Sequence, residues 1–297
     1  MANKKTVIII AGPTAVGKTS VAIKLARHFS TEIISADSRQ CYKELNIGVA
    51  RPSEKELHEV KHHFIASHSI HEKVTAATFE QYALQKAEEI FLKNNVAVMV
   101  GGTGLYIKAF CEGMDEIPGV PEEIRNEIVT AYNENGIEWL QKEVKKTDPL
   151  FYEQGEIQNP QRMMRALEVF HTTGKSILNF RKKKKIVRPF QIIKFGLEIS
   201  KEQLHHNINT RVDQMVEHGL VEEARSLIPY QHFNSLQTVG YKELFAYFSG
   251  QISLSDAVQL IKRNTRQYAK RQLTWFTKDK DYKWVPPDAT VIINEAL

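Results

Sequence analysis

Eight residues, Gly12, Pro13, Thr14, Ala15, Val16, Gly17, Lys18 and Thr19, constrain this chain more than any other stretch, because they sit between one apolar run and one helical repeat. They match the pattern GxxxxGK(S/T) in full, which ordinary residue usage produces by chance in about one chain in a hundred of this length. The run before them, Thr6–Ala11, is β-branched and apolar and predicts a strand. After them Val21, Ala22, Leu25, Ala26 and Phe29 recur at helical spacing. In a strand–loop–helix unit of this kind the loop N–H groups converge on an anion and the helix dipole stands behind them. Lys18 adds charge and Thr19 offers a hydroxyl to Mg²⁺. A diphosphate or triphosphate is the expected ligand; the bland alternative is a Gly-rich turn that binds nothing.

The rest of the chain extends this unit. Ile33-Ile34 is a second apolar run ending at Asp37; residues 78–94 place Phe79, Tyr82, Ala83, Ala87, Ile90 and Phe91 on one helical face; residues 96–100 form an unbroken apolar strand closed by Gly101-Gly102. Continuous apolar strands alternating with helices predict a parallel sheet covered on both faces. The pattern changes at Pro118-Gly119-Val120-Pro121, after which residues 122–173 read as helical with no strand before 190–197. Asn159 as N-cap, Pro160 at the first helical position and Gly174 just past the end bound one helix well. Ser200 and Gln203 predict a capping box opening another helix, residues 254–276 a long one, and residues 290–293 a final short strand. The expectation is an α/β fold, a P-loop NTPase-like parallel sheet flanked by helices, with an all-helical insertion. The core comprises 1–115 and 189–297, and the insertion 116–188.

No run of about 18 apolar residues occurs and the six-residue run near the start is too short for a signal-peptide core, so no membrane role is expected. Cys41 and Cys111 lack disulfide or zinc spacing, which fits a reducing cytoplasm. The net charge of +5 is a weak lean, but its placement matters: basic residues gather in the run 181–185 and between Lys262 and Arg271. On the long C-terminal helix Lys262, Arg263, Arg266 and Lys270 share a face beside an apolar stripe through Ile261, Tyr268 and Phe276. That face could track RNA phosphates or simply be solvated. The run 181–185 reads as a solvated loop with an optional part in attracting RNA. His62 and His63 have no third ligand at metal spacing and read as structural.

Asp37 stands at the C-terminal end of a strand, where ligands of open α/β sheets bind, and is the leading candidate for a general base or metal-linked group. Its alternative is a turn or cap acid before Ser38. The strand 96–100 ends in Gly101-Gly102-Thr103-Gly104 with no carboxylate, which argues against an ordinary ATPase or GTPase.

Seven ordered blocks bring this sequence close to a known family. They are the loop 12–19; Asp37-Ser38-Arg39-Gln40-Cys41-Tyr42 with Ile47-Gly48; 101–106; Gln161-Arg162-Met163-Met164-Arg165-Ala166-Leu167-Glu168; 211–215; 239–243; and 270–276. The chain resembles the bacterial tRNA dimethylallyltransferases over nearly its whole length. The resemblance implies transfer of a dimethylallyl group from dimethylallyl diphosphate to N6 of the adenosine 3′ of the anticodon in tRNA, with Mg²⁺. By the family motifs, Asp37 is the implied base, Thr103 a contact to the target nucleotide and Arg211 a diphosphate ligand; residues 12–19 hold the diphosphate, with Thr19 on the metal. The implied tRNA contacts are Asp37, Ser38, Arg39, Gln40, Thr103, Arg125, Gln161, Arg162, Met163, Met164, Arg165, Gly240, Tyr241, Lys270, Arg271 and Gln272, with the insertion reading the anticodon arm. A cytoplasmic monomer is expected. Val49, Arg51, Lys61 and Pro160 depart from the family pattern, which puts local tRNA contacts in question. The zinc-finger extension of eukaryotic members has no counterpart, which favours the bacterial type. The competing expectations are a P-loop kinase of a nucleoside or small metabolite and a non-catalytic nucleic-acid-binding ATP switch.

Overall fold

A computed structural model describes residues 4–181 and 185–296, so residues 182–184 of the basic run lie outside the described residues. The chain divides into two units, one formed by the residues up to Glu112 and from Val187 on, the other by Gly113–Ile186. The boundaries expected from sequence were 115/116 and 188/189.

In the first unit the chain runs through β1 (Thr6–Ala11), α1 (Lys18–His28), β2 (Ile33–Ser35), α2 (Glu54–Glu59), β3 (His62–His63), α3 (Ala76–Phe91), β4 (Val96–Gly101) and α4 (Gly104–Glu112). After the insertion, which supplies four helices, it resumes with β5 (Gln191–Leu197), α9 (Lys201–Glu217), α10 (Leu220–Ser226), α11 (Tyr241–Phe248), α12 (Leu254–Phe276), β6 (Tyr282–Val285) and α13 (Ala289–Ala296). The six strands pair in parallel in the order β3-β2-β4-β1-β5-β6. Alternation along β1 sends Val7, Ile9 and Ala11 to one apolar layer and Ile8 and Ile10 to the other, so the sheet is buried on both faces. Ala11 is in register with Gly101 on one side and Gly196 on the other, so the C-terminal ends of β4, β1 and β5 form one edge. The loop 12–17 leaves from the middle of that edge.

The helix bounds at 160–173 and 254–276 are those expected. Other details differ. Residues 290–293 lie in α13 and not in a strand: Asp288 accepts a hydrogen bond from the Thr290 N–H at 2.8 Å, and Ala289 and Ile292, three apart, are the buried pair. The edge strand is β6, whose mixed Tyr-Lys-Trp-Val sequence offers no apolar run to read. Ser200 caps α9 through Gln203 N, but the Gln203 side chain bonds Asn207 instead of returning to the cap.

The second unit contains α5 (Glu122–Thr147), α6 (Pro149–Gln154), α7 (Pro160–Thr173) and α8 (Ile177–Phe180). Gly136, at φ 72°, breaks α5 into two helical segments. Met163, Met164, Leu167 and Val169 of α7 pack with Leu140, Val144 and Phe151 into a core belonging to this unit.

Candidate active site

The backbone of residues 12–17 turns through conformations that favour glycine: Gly12 has φ 147° and Gly17 φ 99°. A Cβ at Gly12 would also stand 3.0 Å from the Leu197 carbonyl oxygen. The loop therefore lies tight against the end of β5. Lys18 Nζ donates to the Pro13 carbonyl at 2.7 Å, folding the cation over the loop. From α9, Arg211 donates to Thr14 Oγ1 at 3.3 Å and Asn207 to the Ala15 carbonyl at 3.1 Å. Burial, and then the Arg211 charge, push the Lys18 ammonium down to about 7 against an opposing pull from Asp37; burial also lowers Arg211. Two cations held this way against their own solvation make a site suited to a multiply charged anion.

Lys18, Thr19, Ser20, Asp37 and Arg211 line one cavity of about 440 Å³. Asp37 follows β2, and its Oδ1 accepts from the N–H groups of Arg39 at 2.9 Å and Gln40 at 3.2 Å, so the turn-acid reading holds for one oxygen. Oδ2 accepts no hydrogen bond among the described residues. The same cavity has an apolar wall of Val49, Val212, Met215, Leu220, Val239 and Ile261, side chains that all belong to one hydrophobic cluster. Sequence reasoning missed this wall, because its members come from three helices and two loops and form no local pattern.

Gln272 of α12 ties two loops together: its Oε1 accepts from Thr14 N and its Nε2 donates to the Gly102 carbonyl, each at 2.9 Å. At 7% exposure with both ends engaged it is a structural tie, and an RNA contact through it would break those bonds. Gly102 leaves room for it, since a Cβ there would come within 2.2 Å of Gln272 Nε2.

Several expected tRNA contacts are placed inside the protein. Tyr241 is 0% exposed and donates its hydroxyl to Glu223 at 2.7 Å. Met163 and Met164, at 0% and 3%, face the core of the helical unit. A helix has one inward face, and motif membership does not say which residues occupy it. Thr103 does not line the cavity; its hydroxyl accepts from Ser38 N at 3.0 Å and so fixes the turn after Asp37. Ser38, Arg39, Gln40 and Gly240 do line it. Tyr268, expected in an apolar stripe, is 37% exposed and lines the cavity, while Ala269, Gln272 and Phe276 bury that side of α12.

Of the basic face of α12, Arg263 and Lys270 are exposed, as is the neighbouring Arg271, while Lys262 pairs with Asp213 at 2.6 Å and Arg266 donates to Asn209 at 2.7 Å. In the helical unit Arg125 and Gln161 are exposed, Arg162 pairs with Glu156, and Arg165 pairs with Glu168 at 3.0 Å. His63 bonds Glu32 at 2.5 Å; His62 bonds the Val60 carbonyl at 2.7 Å and also lines the cavity. Cys41 and Cys111 are buried free thiols that burial raises to about 12. No described helix is long and apolar enough to cross a membrane.

The loop 12–19 at the C-terminal edge of a parallel sheet, opening into a cavity with both cationic and apolar walls, defines an enzyme of the P-loop α/β class. The model of the IPP transferase family matches residues 40–279, and the chain belongs to that family. It is 51% identical over 277 residues to the tRNA dimethylallyltransferase of Christiangramia forsetii, covering 93% of this chain and 92% of the relative. Among solved structures it resembles the tRNA isopentenylpyrophosphate transferase of Bacillus halodurans, with a TM-score of 0.71, 35% identity and coverage of 99% and 94%. A eukaryotic dimethylallyltransferase caught acting on tRNA gives a TM-score of 0.78 at 26% identity, over 95% of this chain and 74% of that one.

Proposed function

We propose that this protein is a tRNA dimethylallyltransferase, moving a dimethylallyl group from dimethylallyl diphosphate to N6 of the adenosine 3′ of the anticodon. The observation that carries this reading is the single cavity shared by the phosphate loop, Lys18 and Arg211, the carboxylate of Asp37, and an apolar wall. A kinase of a polar metabolite has no use for that wall, whereas a five-carbon allylic tail has.

The reaction follows from these parts. The bond between the allylic carbon and the diphosphate oxygen breaks as N6 attacks that carbon. Asp37 Oδ2 takes the proton that N6 loses, while Oδ1 stays bound to the turn and fixes the carboxylate. Lys18, Arg211 and the loop N–H groups receive the charge of the departing diphosphate. The apolar wall shields the allylic carbon from water, which would otherwise compete as nucleophile.

A divalent cation fits this arrangement as an adjunct to the anion. No group of three or more His, Cys, Asp or Glu able to hold a metal occurs among the described residues, and Thr19 lines the cavity. Mg²⁺ characteristically takes one or two protein oxygens and completes its shell with phosphate oxygens and water. Thr19 would hold it, and it would neutralise the diphosphate.

Arg39, Lys270 and Arg271, all accessible, are the proposed tRNA contacts of the core, and Arg125, Gln161, Arg162 and Arg165 those of the insertion, which binds the anticodon arm. The assay is transfer of label from dimethylallyl diphosphate to unmodified tRNA, run beside phosphoryl transfer from ATP to nucleosides. Label in tRNA is expected; phosphoryl transfer alone would establish the kinase.

A further inference from the structure

Glu223 is an ordinary helix acid by sequence, yet its carboxylate is held by four hydrogen bonds beside the site. Oε2 accepts from Asn46 N at 3.2 Å and Ile47 N at 2.8 Å, and Oε1 accepts from Gly48 N at 2.9 Å and from the Tyr241 hydroxyl at 2.7 Å. Three consecutive backbone N–H groups thus converge on one side chain, the arrangement by which a short loop captures an anion. The opposite edge of the loop is held as well, since Gln40 Nε2 donates to the carbonyls of Val49 at 3.2 Å and Ala50 at 2.9 Å. Behind it the Tyr241 ring leaves no space at Gly48, where a Cβ would come within 2.6 Å.

The loop so fixed is part of the cavity. Gly48, Val49 and Ala50 line it, and Val49 packs in the same apolar cluster as Val212, Met215, Leu220, Val239 and Ile261. With the backbone N–H groups of residues 46–48 all directed at Glu223, the position of the Val49 side of the wall depends on that carboxylate. We infer that Glu223 is a positioning residue which, by clamping residues 46–50 from behind, sets the depth of the apolar wall and so limits the transferred group to a single five-carbon unit. This rests on the prenyl-transfer function proposed above. It goes beyond it in naming what excludes longer allylic chains.

The chemistry at Glu223→Gln is specific. A carboxamide has one acceptor oxygen, and its NH₂ would face N–H donors of the loop, so part of the clamp is lost while the side-chain volume stays. Pocket discrimination of a single methylene is worth about 10–200-fold, so a wall that no longer holds its place should lose at least about tenfold of its preference. Two variants, Glu223→Gln and Tyr241→Phe, are compared with the parent for kcat/KM on dimethylallyl and on geranyl diphosphate, with tRNA affinity measured alongside. The expected result is a fall of about tenfold or more in the dimethylallyl-to-geranyl ratio for Glu223→Gln, a smaller shift for Tyr241→Phe, which removes one bond of the four, and unchanged tRNA affinity. Equal loss on both donors, or an unchanged ratio, overturns the inference and leaves Glu223 a stabilising residue. If Glu223→Gln does not fold, Val49→Ala tests the same wall, and an unchanged ratio there overturns it too. A parent that transfers neither prenyl group is a failure of the prenyl-transfer function itself and is distinguishable from all of these.

Discussion

Asp37 holds its turn through one carboxylate oxygen and leaves the other open to the cavity, and that division sets what a substitution does. In Asp37→Asn the amide oxygen can still accept from the Arg39 and Gln40 N–H groups, so the turn survives while the proton acceptor is removed. General-base contributions run to about 10²–10⁴-fold, and a loss of that size in kcat with unchanged tRNA affinity is expected. Near-parental turnover in a single-turnover assay would remove Asp37 from the reaction. Lys18 carries a pH signature. With its pKa near 7 in the free protein, it is largely neutral at pH 8, and a bound diphosphate draws a proton back onto it. Diphosphate affinity should therefore fall as pH rises above 7, with net proton uptake at pH 8 and little at pH 6. Calorimetry in buffers of different ionisation enthalpy reads this. The sign for folding is opposite. The unfolded chain, with an ordinary lysine, binds more protons between about 7 and 10.5, so this residue's contribution to stability rises with pH across that window. Both residues were legible in the sequence, because a phosphate loop and a strand-end acid are local patterns. Glu223 was not, since its partners Asn46 and Tyr241 are remote in the chain and meet only in the fold.

Among the elements, α12 shows how one helix can carry a core stripe and a site at once. Its bounds, residues 254–276, were legible in the sequence, but its faces were not. Tyr268 looks like core by spacing and lines the cavity, whereas Gln272 looks like surface and is buried. Polarity misled for Gln272, which satisfies both ends of its amide internally, and spacing for Tyr268, which has an open volume in front of it. Replacing Gln272 by Ala orphans Thr14 N and the Gly102 carbonyl, and each buried group left unpaired costs about 1–3 kcal/mol. Denaturant unfolding should show a loss of about 2–6 kcal/mol for the two groups together, and diphosphate affinity should fall because Thr14 belongs to the loop 12–19. Unchanged stability would mean water replaces the amide at no cost. The helix α13 escaped the sequence for a different reason: Thr-Val-Ile-Ile has β-branched composition, but Asp288 caps a helix there and Ala289 and Ile292 bury one helical side. Tertiary packing overrode propensity.

At the level of the whole molecule, the sequence announced a sheet interrupted by helices through the helical stretch that follows Pro118–Pro121, and the chain divides into two units with Gly113–Ile186 as the second. What it could not announce was which residues of the inserted unit point outward. Arg162 and Arg165 do not have the same standing: Arg162 is exposed beside Glu156, while Arg165 is half-buried and also bonds the Pro118 carbonyl. If both meet tRNA phosphates, changing both to Ala should lower tRNA affinity and reduce the slope of log K against log salt by about 0.7–0.9 for each phosphate no longer neutralised. Diphosphate affinity should stay at the parental value. An unchanged slope would assign the RNA to the accessible basic residues of the core, Lys270 and Arg271. The nucleoside product decides which reaction the site runs. The full chain is incubated with unmodified tRNA, dimethylallyl diphosphate and Mg²⁺, the tRNA is fragmented, and the fragments are read by mass spectrometry. One added isoprene unit on the adenosine immediately 3′ of the anticodon and an equivalent of free diphosphate are expected; tRNA recovered without that unit, under conditions where the protein binds both substrates, would overturn the transferase function.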